Sequence, residues 1–330
     1  MPSLQQYHTF SFASNCASIV EFDSVDSFLN AYNPDLNSYI LGGGSNSVFL
    51  NDFDGVVLVN KIKGISHYDT ESHHHISVGA GEDWHEFVSL CMQNEWFGLE
   101  NLALIPGSVG ASPIQNIGAY GVEIHAFIDS IEAILLETKE PFLIKGADCQ
   151  FGYRDSIFKH ALYGKALITK VNFTLPKDYD IVATYGELAV MDSPTALDIF
   201  NKVIEVRKAK LPDPKQLGNA GSFFKNPVIA LTHFEELKRV HSDIPSYPVS
   251  ENEVKVPAAW LIDKTGFKGK ALNDVRCHPT QPLVLTNIGN AQSDDLIALA
   301  KQIMHAVESE FKILLEPEVR LVGEKGLISL

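Results

Sequence analysis

Ile105-Pro106-Gly107-Ser108-Val109-Gly110-Ala111-Ser112-Pro113-Ile114-Gln115-Asn116-Ile117-Gly118-Ala119-Tyr120-Gly121 holds four glycines, two prolines and no charged side chain. A solvated loop would be more polar, and a packed helix or strand would carry fewer glycines. A stretch of this kind can wrap an extended, mostly uncharged ligand, with backbone N–H groups left over to meet a pyrophosphate. The plain structural alternative is a buried irregular crossover.

A second glycine-rich turn lies upstream. Gly42-Gly43-Gly44-Ser45-Asn46 sits between apolar runs at 38–41 and 48–50, a strand–loop–strand pattern. By itself it reads equally well as a tight loop or a phosphate cradle. It is neither the G-x-G-x-x-G of a doubly wound nucleotide fold nor a P-loop. Two such loops in one chain suggest a dinucleotide, and the missing doubly wound signature points to FAD held in another fold.

The surrounding sequence predicts strands at 55–60, a hairpin at 65–68 and 75–78, and strands at 131–136, 142–145 and 166–175. Trp84, Phe87, Val88 and Cys91 recur at helical spacing. Ser193-Pro194 reads as a cap followed by proline at the first helical position of a helix ending near Lys210, with Ile199, Val203 and Val206 on its apolar face. Leu211-Pro212-Asp213-Pro214 stops that helix and marks a domain junction. Between 215 and 291, turns and short strands surround one short helix near 258–264. Leu296, Ile297, Ala300, Ile303, Met304 and Val307 form the stripe of a helix over 293–311, and a strand near 319–322 closes the chain. Strands and helices do not alternate regularly, so an α+β class is expected.

At 330 residues the chain should form two or three domains. A net charge of −15 speaks against nucleic-acid binding but leaves room for a local cationic pocket. No apolar run approaches a membrane span, and residues 1–12 do not read as a signal peptide. Cys16, Cys91, Cys149 and Cys277 are widely spaced and read as reduced thiols of a cytoplasmic protein. A monomer is the expected state. His73-His74-His75 allows chelation by His73 and His75 on one strand face, but a polar hairpin edge is the plainer reading, and no metal is expected.

Three more segments matter: Gly152-Tyr153-Arg154-Asp155-Ser156, Gly218-Asn219-Ala220-Gly221-Ser222-Phe223-Phe224-Lys225-Asn226-Pro227 and Glu316-Pro317-Glu318-Val319-Arg320. In sequence, order and approximate spacing, these and the two glycine loops resemble the UDP-N-acetylenolpyruvoylglucosamine reductase family over residues 8–323. Ala183-Thr184-Tyr185-Gly186 resembles the longer, type I form. The chain departs from the family at His8-Thr9-Phe10, where Asn-Thr-Phe is common, and at Ala111, where a small polar residue is common.

The resemblance implies an FAD module of the vanillyl-alcohol-oxidase type plus an α+β substrate-binding domain. Residues 1–54 and 313–330 would form one FAD-binding subdomain, 55–210 the other, and 211–312 the substrate domain. It implies NADPH-dependent, flavin-mediated reduction of UDP-N-acetylglucosamine-enolpyruvate to UDP-N-acetylmuramate for peptidoglycan synthesis. Hydride reaches C3 of the enolpyruvyl group, and negative charge builds at C2 and in the carboxylate. The implied catalytic residues are Arg154, a guanidinium that can fork onto that carboxylate, Glu318, a carboxyl held protonated to donate to the developing enolate, and Ser222, proton donor to C2.

Flavin contacts are expected from Gly42, Gly43, Gly44, Ser45, Asn46, Gly107, Ser108, Gly110, Ser112, Gly118 and Gly121. Substrate contacts are expected from Tyr185, Lys210, Lys225, Asn226 and Gln281. An oxygen-using FAD oxidase of the same superfamily and a non-catalytic nucleotide-sugar binder are the alternatives. The oxidases often tether flavin through His or Cys, and 105–121 contains neither.

Overall fold

The computed structural model describes residues 1–330, and the chain is α+β. Its N-terminal sheet has three parallel strands in the order Cys16–Phe22, Phe53–Asn60, Ser38–Leu41. Helix Val25–Ala31 connects the first strand to the last, its N-terminus closed by reciprocal Ser24–Ser27 capping. Val57, Leu58 and Val59 are buried in succession, as in a parallel strand covered on both faces. The first strand and this helix escaped the sequence reading.

The strand at 55–60 begins earlier than expected. It starts at Phe53, and Gly55 lies inside it with the Asn37 carbonyl within 2.4 Å of where a Cβ would stand. The expected subdomain boundary after residue 54 therefore cuts a strand, whose ladder to Cys16–Phe22 runs on to Asn60. The short strand Ser47–Phe49 leaves this sheet and pairs in parallel with Arg320–Gly323, so the C-terminus returns to the glycine turn at 42–46.

The middle region is a five-stranded antiparallel sheet, in the order Pro141–Lys145, Ile128–Leu135, Ala166–Pro176, His73–Gly79, Ile65–Asp69. Helix Trp84–Gln93 packs under it through Trp84, Phe87, Val88 and Cys91, and Asp83 caps it by accepting from the Glu86 N–H. Ile199 and Val203 of helix Ala196–Lys210 enter the same core. Ser193 is not that helix's cap. Thr195 holds the position, accepting from the Asp198 N–H while the Asp198 carboxylate accepts from the Thr195 N–H. This reciprocal pair satisfies two end donors, which Ser193 with proline next to it cannot match.

The C-terminal region contains a four-stranded antiparallel sheet, Gly218–Ser222, Val284–Asn287, Val275–Cys277, Ala271–Leu272, and a three-stranded one. Helix Ser293–Phe311 fills its core with Leu296, Leu299, Ala300, Ile303, Val307 and Phe311, while Ile297 and Met304 are only half-buried. Helix Ala258–Lys264 falls where expected. Helix Leu231–Val240 was not foreseen. It buries only Phe234 and has no side-chain cap, so its start is unmarked in the sequence. All four cysteines are buried and free, and no helix is long and apolar enough to cross a membrane.

The capping assignment has a direct check. Thr195→Ala should lower the unfolding free energy in a urea titration by about 1 kcal/mol, whereas Ser193→Ala should change it by less than about 0.5 kcal/mol.

Candidate active site

Segment 316–320 is the seam along which the site assembles. The Glu318 N–H donates to the Phe223 carbonyl and the Lys225 N–H to the Glu316 carbonyl, so this segment and 222–226 pair antiparallel. On the other side, the Arg320 N–H donates to the Asn46 carbonyl, and Asn46 Nδ2 reaches Gln115 Oε1 and the Glu318 carbonyl. Both glycine-rich stretches and the 218–227 segment are thereby held around Glu318.

Arg154 comes from the middle region. Gly152 and Asp155 exchange both backbone hydrogen bonds, and Arg154 takes φ +54° in the turn between them. That conformation normally falls to glycine or asparagine, and its cost at an arginine marks a site held by its surroundings. The guanidinium donates to the Gly118 carbonyl from Nη2 at 2.9 Å, and Nε lies 2.9 Å from Glu318 Oε1. The Nε N–H is not aligned with that oxygen, which leaves a buried donor without an acceptor.

The Glu318 side chain is only 12% exposed. Burial pushes its carboxyl above the usual carboxylate range, while Arg154, Lys159 and Lys225 pull the other way. Glu316, two residues before it, is 71% exposed and paired with Lys225. Ser222 follows an irregularity in the pairing of its strand with Val284–Asn287, and Gly221 beside it has φ +71° with open space where a Cβ would be.

Arg154, Ser222 and Glu318 line one cavity of about 140 Å³, together with Gly118, Gln115 and Arg207. Across shared walls, Ser45, Asn46 and Pro106 connect it to a cavity of about 100 Å³ lined by all of 42–46, Gly107, Ser108 and Ser112. Gly42, Ser108, Ala111 and Ile114 lead on to a third, of about 290 Å³, walled by Tyr39, Leu162, Tyr163 and Ile168. In the other direction, Arg154 and Gly118 open into the largest, about 930 Å³, with Tyr120, Gly121, Tyr153, Tyr185, Asn226 and Lys255 on its walls.

The glycine loops are shaped to receive an anionic group. The N–H groups of Gly42, Gly43, Gly44, Ser45 and Asn46, and those of Gly107 and Ser108, donate to no backbone carbonyl. Seven donors without partners in one cavity match the acceptors of a pyrophosphate. The glycines also allow the loops to touch: a Cβ on Gly43 would lie 2.7 Å from Gly107 Cα. Gly110 lines the third cavity; its N–H donates to the Ala80 carbonyl and a Cβ there would meet Ala80 Cβ at 2.4 Å, so it also serves packing. The Ser112 hydroxyl donates to the Val109 carbonyl.

Of the substrate residues read from sequence, Tyr185 and Asn226 face the largest cavity. Tyr185 stacks on Tyr247 with ring centroids 5.4 Å apart, and burial followed by that contact raises its phenol pKa. Asn226 Oδ1 accepts from the Ala258 N–H. Lys210, Lys225 and Gln281 line none of the four cavities. Lys210 is paired with Glu187 and Lys225 with Glu316.

Two cations were missed. Lys255 lies in the largest cavity with Nζ 4.4 Å from the Tyr153 ring centroid, and burial lowers its pKa. Arg207 lines the Arg154 cavity and donates to the Leu104 carbonyl. A lysine in a three-residue strand and an arginine in a basic helix end, where cations are common anyway, gave no distinguishing signal.

Comparison with known proteins bears on the same segments. Residues 213–322 match the C-terminal domain of UDP-N-acetylenolpyruvoylglucosamine reductase, and 23–139 match an FAD binding domain. UDP-N-acetylenolpyruvoylglucosamine reductase from Pseudoalteromonas atlantica is 51% identical over 100% of this chain and 96% of its own length. The enzyme of that name from Photobacterium profundum is 45% identical over 97% and 94%. The crystal structure of the Thermus caldophilus reductase superposes with a TM-score of 0.68 at 22% identity, covering 97% of both chains, and so shares the fold. Spanning nearly the full length of relatives close to half identical in sequence, the chain belongs to the UDP-N-acetylenolpyruvoylglucosamine reductase family.

Proposed function

We propose that the chain uses NADPH and FAD to reduce the enolpyruvyl group of UDP-N-acetylglucosamine-enolpyruvate to the lactyl ether, giving UDP-N-acetylmuramate for peptidoglycan synthesis in the cytoplasm. The observation that carries this reading is the meeting of Arg154, Ser222 and Glu318, far apart in sequence, in one cavity continuous with the free N–H groups of the glycine loops. The close identity to reductases of this name disfavours an oxidase.

FAD fits the run of cavities, with 42–46, Gly107 and Ser108 toward its pyrophosphate. When bound it supplies the carrier that takes hydride from NADPH and gives it to C3 of the enolpyruvyl group. The chain's own residues do the rest. The Arg154 guanidinium receives the substrate carboxylate and stabilises charge as it spreads there. Glu318, kept protonated by burial, donates to the same oxygens; a donor fixed in advance needs no reorganisation as charge develops. Ser222 passes its hydroxyl proton to C2 and is then reprotonated from solvent.

In the largest cavity Lys255 is the cation best placed for the diphosphate, and Tyr185 and Asn226 flank it. Lys210 acts indirectly, tying the end of its helix through Glu187 to the turn that carries Tyr185. We place the subdomain division after Asn60. Residues 1–60 with 313–330, and 61–210, would hold FAD between them, and 211–312 would bind the substrate.

In stopped-flow absorbance, Ser222→Ala should leave flavin reduction by NADPH intact and slow reoxidation by the enolpyruvyl substrate about 10²–10⁴-fold; unchanged reoxidation would remove Ser222 as proton donor. Glu318→Ala should lose about 10²–10³-fold in kcat, and Glu318→Gln, which keeps a donor, should retain more. The raised Glu318 pKa sets the sign of the pH dependence: the active, protonated form is lost as pH rises through a value above the ordinary carboxylate range, so kcat falls there, and Glu318→Gln should lack that limb. Gly43→Val should purify with little flavin absorbance, because its side chain meets the Gly107 backbone.

A further inference from the structure

Away from these cavities, the hairpin Ile65–Asp69 and His73–Gly79 carries a cluster with no part in the reaction. Asp69 lies directly opposite His74, and His67 stands two residues before Asp69, so all three project from one face. His67 Nε2 is 2.8 Å and His74 Nδ1 2.7 Å from the same oxygen, Asp69 Oδ1. The His74 side chain is 14% exposed, that of His67 26% and that of Asp69 47%, so the imidazoles are largely shielded and the carboxylate faces water. The Trp96 ring stacks on His67 with centroids 4.2 Å apart and backs the cluster. His73 and His75, read from sequence as a polar hairpin edge, are engaged otherwise: His75 stacks on Tyr68 and contacts Thr174, and His73 lines the largest cavity.

We propose that His67, Asp69 and His74 form a binding site for a divalent transition-metal ion such as Zn²⁺ or Ni²⁺. Two imidazole nitrogens and a carboxylate oxygen are the ligand set such ions favour. The three ligand atoms all lie within 4.8 Å of one another. Tetrahedral coordination separates ligand atoms by about 3.3 Å, so the two short contacts to Asp69 Oδ1 widen by about half an ångström as the ion takes the place of the shared N–H protons. The rotamers that aim both rings at one oxygen are already selected, so little further ordering is needed. The fourth coordination position faces solvent at Asp69 and takes water. Lys177 Nζ, 3.3 Å away, contacts the other carboxylate oxygen and leaves Oδ1 free.

Trp96 provides the readout, because a paramagnetic ion bound beside His67 quenches the indole stacked on it. Tag-free, FAD-loaded protein is titrated with Ni²⁺ while tryptophan fluorescence is recorded, and Zn²⁺ binding is measured by equilibrium dialysis. The expected result is saturable binding of one ion of either metal, lost in His67→Gln, His74→Gln and Asp69→Asn. Trp96→Phe should keep Zn²⁺ binding and lose the saturable quenching. Flavin absorbance confirms that each variant is folded, and three variants at separate ligands guard against misfolding of any one. Non-saturable binding, binding undiminished in the folded ligand variants, or quenching that persists in Trp96→Phe would mean an adventitious ion only and would overturn the site.

Discussion

One extended segment, 316–320, is hydrogen-bonded on both flanks, and the site depends on that double attachment. Its backbone joins 222–226 on one side and the 42–46 turn on the other. A strand fixed on both edges cannot slide, since a slip of one residue would exchange the faces to which Glu318 and its neighbours point. Regions separated by hundreds of residues thus meet with their relative register set by main-chain bonds. Side chains on this segment are free to differ in environment, and Glu316 and Glu318 show how far: two residues apart, one is solvated and paired with a lysine, and the other is enclosed beside an arginine.

The Arg154–Glu318 contact is a poor source of stability. Burial disfavours the ionised form of the carboxyl beside this arginine, and the left-handed turn at Arg154 adds strain. What the arrangement provides is a carboxyl whose neutral form burial favours, held next to a cation.

The legible parts of the sequence were those in which side-chain type and spacing encode the structure directly. The apolar stripes of Trp84–Gln93 and Ser293–Phe311 announced their helices, the hairpin at 65–79 its turn, and the glycine loops their need for close approach. The convergence of Arg154, Ser222 and Glu318 had no such local code and came from likeness to a family. Thr195 was overlooked for Ser193 because only the partner Asp198 distinguishes them. Lys255 and Arg207 were overlooked because their position depends on tertiary packing of elements that look ordinary in isolation. Gly110 was legible as special, but its contact with Ala80 was not, since tight packing and a ligand-lining loop demand the same residue.

The proposed anion receptor at 42–46 and 107–108 is built from main-chain amides. Amides cannot be deleted by substitution as a lysine can, and they do not titrate. Salt and pH that weaken side-chain receptors should therefore affect this one little. A lineage that abandoned the cofactor would reveal it by bulk appearing at Gly43 or Gly107, with no basic residue lost.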